Sequence, residues 1–215
     1  PRLWIILFGW AFCSLVLLTV FMLMLDALNL LMRALPYGPK RLTTTRSRVI
    51  IALLAASLSG YGVHQAIGAA PVKRVSVVIP DLPAEFEGLR IVQLSDLHIS
   101  RLFDASWTGQ VVSTTNALKA DLILISGDLI DGTPEARQQD VAPLAGLQAA
   151  LGVIAIPGNH EYYFQESRWR QVFEALGMKV LLNEHLILSR HQAQLAIAGV
   201  TDEVAADYDG AAPDL

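Results

Sequence analysis

Leu122-Ile123-Leu124-Ile125-Ser126-Gly127-Asp128 is a short apolar run that stops at a serine, a glycine and a carboxylate. A strand with one face in water alternates apolar and polar residues, so an unbroken run bounded by turn residues reads as a strand buried on both faces. The same pattern recurs on either side. Leu89-Arg90-Ile91-Val92-Gln93-Leu94 leads into Ser95-Asp96-Leu97-His98, and Val153-Ile154-Ala155-Ile156 leads into Pro157-Gly158-Asn159-His160-Glu161. Helical patterns separate the runs: residues 105–120 with Asp104 placed to cap them, and residues 137–150, which Pro143 should bend or break. A further helix is expected over 166–176, stopped by Gly177, with other strands at 75–79, 179–182, 186–188 and 195–200. Apolar strands alternating with helices imply an α/β fold with a parallel sheet, and such sheets bind ligands at the carboxyl ends of their strands.

The polar residues fall at those ends. Asp96, His98, Asp128, Asn159 and His160 each follow a strand, with 32 residues from Asp96 to Asp128 and 31 from Asp128 to Asn159. Taken singly, each has a plainer role: an Asp caps a turn, an Asn makes one, and a lone His is usually structural. Jointly, two carboxylates, two imidazoles and a carboxamide on one rim suit divalent Mn, Fe or Zn. Asp96 and His98 offer one ion an oxygen and a nitrogen from a single loop, and Asp128 can bridge two ions through its two oxygens. Two ions roughly 3.5–4 Å apart would clamp a phosphoryl group and supply a hydroxide for in-line attack. Asp131, Glu161, His185 and His191 are weaker singly. His185 and His191, with Asn183, Ser189 and Arg190 beside them, suit a solvated hairpin outside the site.

The first third of the chain is different. The protein is 53% hydrophobic and only 17% charged, with a mean hydropathy of +0.44, and nearly all of the excess precedes residue 71. Residues 3–25 carry no charge and as a helix reach roughly 34 Å, enough to span a hydrocarbon core. A signal peptide has a shorter apolar region and ends at a small-residue cleavage site, which this run lacks. Residues 49–70 also lack Asp, Glu, Lys and Arg, with Ser57, Gly60 and Gly62 suited to close helix approach and His64 to an interfacial position. A membrane anchor over 1–70 with two transmembrane helices, about 3–25 and 49–70, is therefore expected ahead of a globular part over 71–215. Arg33, Lys40, Arg41, Arg46 and Arg48 lie between the two runs without an acidic residue, so the positive-inside rule puts 33–48 in the cytoplasm and everything after 71 outside. The net charge of −4 and pI near 5.7 give no sign of nucleic-acid binding. The single cysteine, Cys13, excludes an intrachain disulfide. A first residue of Pro1 and an uncapped end at Leu215 read as an internal fragment.

Asp96-Leu97-His98, then Gly127-Asp128-Leu129-Ile130-Asp131, then Gly158-Asn159-His160-Glu161 resembles the calcineurin-like metallophosphoesterase signature in order and spacing. The approach from Leu89 to His98 after two apolar runs looks like the membrane-anchored bacterial branch of that family. The resemblance implies a partial αββα sandwich in which Asp96 and His98 bind one metal, Asp128 both and Asn159 the second. It further implies that His160 protonates the leaving oxygen and that Asp131 orients His160. The activity implied is phosphoester hydrolysis with two divalent ions, on a phosphorylated small molecule or a lipid-linked or envelope phosphodiester or pyrophosphate, at a bacterial cell membrane. One branch with similar motifs cleaves the pyrophosphate of UDP-2,3-diacylglucosamine, on the cytoplasmic face that the loop charges disfavour. A non-catalytic metal- or phosphate-binding module is the other alternative, and Asp131 and His160 speak against it because binding needs no acid. Two departures stand out. Gly132 occupies the place where the family's protein Ser/Thr phosphatases carry a phosphate-binding Arg. The family also draws ligands from a late His and a Gly-His-x-His segment, and no histidine follows His191, so the fragment itself is expected to be inactive.

Overall fold

A computed structural model describes residues 2–33 and 44–214. The chain divides into two compact units, one ending at Gly68 and the other beginning at Ala69.

The first unit is a pair of helices, α1 (Arg2–Arg33) and α2 (Thr45–Ala66), both long and apolar enough to cross a membrane. Helix α1 runs past the charge-free segment through Asp26 to Arg33. Helix α2 starts before its charge-free segment, at a capping box: the Thr44 hydroxyl accepts from the Ser47 amide at 3.1 Å, and the Thr44 amide donates to Ser47 Oγ at 2.8 Å. The helices are joined by a Trp10 indole that donates to the Ala56 carbonyl at 2.9 Å. The ring lies close to Gly60, where a Cβ would lie 3.5 Å from Trp10 Nε1, an ordinary packing distance. Of the basic connection read from the sequence, Lys40 and Arg41 lie outside the described residues.

The second unit is built on a four-stranded parallel sheet, β1 (Ile91–Leu94), β2 (Leu122–Ser126), β3 (Val153–Ile156) and β4 (Met178–Val180), in that spatial order. Helices α3 (Ala105–Ala117), α4 (Pro134–Val141) and α6 (Glu166–Ala175) make the crossovers, and α5 (Asn159–Tyr163) is one turn directly after β3. An antiparallel hairpin follows, β5 (Glu184–Arg190) and β6 (Ala193–Gly199), paired from Glu184 with Gly199 to Arg190 with Ala193.

The apolar runs bury both faces, with the two-residue period sorting side chains between layers. Ile123, Ile125, Val153 and Ala155 pack into the core beneath the helices, with Trp107, Val111 and Trp169. Leu122, Leu124, Ile154 and Ile156 turn the other way, onto Leu186, Leu188, Leu195 and Ile197 of the hairpin. The fully buried Leu and Ile side chains among these, such as Leu122 and Ile123, each contribute about 1.5–3 kcal/mol. The hairpin comes in close: a Cβ at Gly199 would lie 2.6 Å from both Ile156 Cγ2 and Leu181 Cβ. Helix, sheet and hairpin form three layers of the αββα order.

Several elements differ from the sequence reading: β5 spans 184–190 rather than 186–188, β6 spans 193–199 rather than 195–200, and α3 ends at Ala117 rather than at 120. Residues 75–79 form no strand, and Val78 is 90% exposed, because a β-rich run becomes a strand only with a partner to fill its ladder. The helix expected over 137–150 begins at Pro134 and ends at Val141, followed by a tight turn at 142–146. Pro134 suits a first turn that needs no amide donor, and Pro143 has no N–H with which to continue the helix. Strand β4 spans 178–180 rather than 179–182.

Candidate metal centre

Strands β1, β2 and β3 run in one direction, so their carboxyl ends bring three loops to one rim. The first two loops extend the ladder: the amides of Asp96, His98 and Ile99 donate to the carbonyls of Gly127, Asp128 and Leu129 at 3.3, 3.0 and 2.8 Å. Ile99, Leu129 and Ile130 beneath them are buried. Asp96, His98 and Asp128 all have left-handed backbones, with φ of 56°, 43° and 54°. Non-glycine residues held there cost about 1–2 kcal/mol each, and such strain gathers at functional sites.

The structure brings all six residues read from the sequence together. His98 Nε2 lies 4.0 Å from both Asp96 Oδ1 and Asp128 Oδ2. Its Nδ1 lies 3.2 Å from Asp131 Oδ1, and the same oxygen lies 2.6 Å from His160 Nδ1. The two imidazoles meet edge to face with centroids 4.4 Å apart. Asp131 thus holds both rings by their Nδ1 atoms, whereas the family resemblance implies a contact with His160 alone. Asp128 Oδ1 also accepts from the His160 amide at 3.0 Å.

Among the described residues, two groups of ligand atoms have spacings fit for an ion: Asp96, His98 and Asp128, and His98, Asp131 and His160, each within 4.8 Å of one another. Asn159 adds a second observation. With its amide nitrogen toward Asp128 it donates to Oδ2 and Oδ1 at 3.0 and 3.2 Å, and its carbonyl accepts from the Tyr163 hydroxyl at 3.1 Å. The two carboxylates, two imidazoles and one carboxamide gathered here are a donor set that fits a divalent metal.

The sequence reading missed two residues here. Tyr163 touches Asn159, a contact without a sequence signal beyond one helical turn. Glu161, weak as a candidate when taken singly, has a role that only the fold shows. It is 2% exposed and accepts from the amides of Asp128, Leu129 and Gly158. Burial pushes its carboxyl up to about 7, against the downward pull of those three amides. Gly132 has a φ of +128°, a backbone conformation that strains any side chain, arginine included, and a Cβ there would lie 3.3 Å from the Arg137 side chain. His185 and His191 lie on the β5–β6 hairpin, outside both groups.

The layered α/β fold and the oxygen and nitrogen donors on its rim have the form of a metal-dependent hydrolase. The chain belongs to the calcineurin-like phosphoesterase family, whose model matches residues 89–201. It is 32% identical over 163 residues to a Danio rerio protein named as a transmembrane protein with metallophosphoesterase domain, covering 73% of this chain and 37% of that one. It is 28% identical over 162 residues to an uncharacterized metallophosphoesterase of Helicobacter pylori (74% and 42%). It is also 33% identical over 135 residues to the metallophosphoesterase YkuE of Bacillus subtilis (60% and 47%). These matches span less than half the length of each relative. The transmembrane relative and the two apolar helices together suggest membrane association.

Proposed function

We propose that this protein hydrolyses a phosphoester or pyrophosphate with a dinuclear metal centre, in which Asp96, His98, Asp128 and Asn159 are ligands, Asp128 serves both ions, and His160 is the general acid. The observation that carries this reading is the single Asp131 oxygen shared by the Nδ1 atoms of His98 and His160. A carboxylate accepting from Nδ1–H fixes the tautomer that offers Nε2, which suits His98 as a ligand and His160 as a proton donor. Divalent ions bound by these residues would supply polarisation of the phosphoryl oxygens and a water that is nucleophilic near neutral pH. His160 remains outside the ligand set. Its Nδ1 is held by Asp131, its backbone amide is tied to Asp128, and its ring is about a quarter exposed at 27%. A proton on Nε2 is then available to the departing oxygen, and Asp131 stabilises the imidazolium before it is given up. On this reading residues 71–215 are the N-terminal part of a metallophosphoesterase domain and 1–70 its anchor. The anchor favours a lipid-linked or envelope substrate, with the domain on the outer side of a bacterial membrane.

The test separates ligand from acid. Asp128→Asn should lose bound metal together with activity. His160→Gln should keep its metal while turnover falls about 10²–10⁴-fold, the usual scale of general acid catalysis. That defect should shrink for a p-nitrophenyl ester, whose leaving group departs without a proton. Equal metal loss in both variants would make His160 a ligand, and an equal defect on both esters would remove its role as the acid.

A further inference from the structure

Glu161 offers no atom to the rim, yet its surroundings are the most constrained in this part of the fold. A carboxylate that is 2% exposed is costly unless its oxygens are satisfied. Backbone amides satisfy them: Oε2 accepts from Asp128 at 2.9 Å and Gly158 at 2.8 Å, and Oε1 accepts from Leu129 at 2.8 Å. These amides belong to two different loops, one after β2 and one after β3. The loops meet backbone to backbone, since a Cβ on Gly127 would lie 2.6 Å from Gly158 Cα. Three N–H dipoles converging on one point repel one another without an acceptor between them, and two carboxylate oxygens are the fewest atoms that serve all three.

We infer that Glu161 is a positioning residue for the metal centre: it clamps the Asp128 loop to the Gly158–Asn159 loop and so sets the separation of those two ligands. The inference rests on the reading of Asp128 and Asn159 as ligands. Ligand sites tolerate displacements of only about 0.5 Å, and partners that orient ligands typically matter about 10–100-fold in metal affinity.

The probe is Mn²⁺ binding to the whole chain in detergent, followed by calorimetry, together with hydrogen exchange of the metal-free protein. Glu161→Gln keeps the shape but has one acceptor oxygen, so an NH₂ must face one of the three amides. Its Mn²⁺ affinity should fall about 10–100-fold, and exchange should quicken in peptides covering 127–130 and 157–159. Glu161→Asp retains both oxygens on a shorter stem, should restore part of the affinity, and serves if the Gln variant does not fold. Leu144→Ala, in the core beneath the helices, should lower the melting temperature while Mn²⁺ affinity stays at the wild-type value. Wild-type affinity and exchange in Glu161→Gln would overturn the inference. So would an equal affinity loss in Leu144→Ala at a matched fall in melting temperature, because affinity would then follow global stability. A wild-type chain that binds no Mn²⁺ would instead count against the ligand assignment, while the exchange measurement would still judge the clamp.

Discussion

Gly158→Ala isolates the contact between the loops without straining the backbone. Gly158 has φ −98° and ψ −172°, extended values open to any residue, so the cost of a methyl there is purely steric. The added Cβ would lie 2.8 Å from the Asp128 amide nitrogen, 3.0 Å from Asp128 Cγ and closer still to Oδ1. Carbon contacts settle near 3.5–4.0 Å, so the Asp128 carboxylate must retreat by roughly 0.5–1 Å. That retreat breaks the 3.0 Å bond from the His160 amide to Asp128 Oδ1. Overpacking costs about 1–3 kcal/mol and a hydrogen bond to a charged group is worth about 1.5–3 kcal/mol. The sum is about 2.5–6 kcal/mol. At about 2–4 °C per kcal/mol for a unit of this size, the melting temperature should fall by about 5–24 °C. Because the displaced group is a proposed ligand, Mn²⁺ affinity should fall as well. Two of the three nearest atoms belong to the Asp128 side chain, so in an Asp128→Ala background the same methyl should cost less, keeping only its 2.8 Å contact with the backbone amide nitrogen at 128. Thermal melts of the four proteins of that cycle measure the coupling. Additive losses, or a Gly158→Ala protein with wild-type melting and metal binding, would refute the reasoning.

Two further outcomes are expected. Gly199→Ala places a methyl 2.6 Å from Ile156 and Leu181, wedging the hairpin away from the sheet; a loss of about 1–3 kcal/mol should lower melting by roughly 2–12 °C while Mn²⁺ binding is retained. An unchanged melting temperature would mean that the hairpin layer yields freely. Alkaline phosphatase fused after residue 75 should be active if the basic residues Arg33, Arg46 and Arg48 hold their side of the anchor in the cytoplasm. An inactive fusion, with a cytoplasmic reporter active at the same point, would reverse the proposed topology.

The sheet was legible because a parallel strand buried on both faces must be apolar throughout, and 122–126 and 153–156 announce themselves by composition alone. The rim residues were legible for a related reason: a chain leaving a buried strand has its first freedom to be polar at the strand's carboxyl end, and Asp96, Asp128 and Asn159 stand there. Helix limits were partly legible. Pro143 marked a break, but the start at Pro134 depended on first-turn geometry. Residues 75–79 carry the composition of a strand and form none, since pairing belongs to two segments and composition to one. The second role of Asp131, on His98, required distances across 33 residues of chain. Glu161 was the least legible, because its partners are backbone amides on Asp128 and Leu129, 33 and 32 residues away, and any residue but proline supplies the same N–H. The sequence by itself determined the apolar helices, the order of strands and crossovers, and the donors offered at each strand end, because these follow from local composition and period. Only the tertiary structure decided which oxygen holds which imidazole and which carboxylate clamps the loops, because the first depends on distances between side chains far apart in the chain and the second on backbone amides that are identical in every residue.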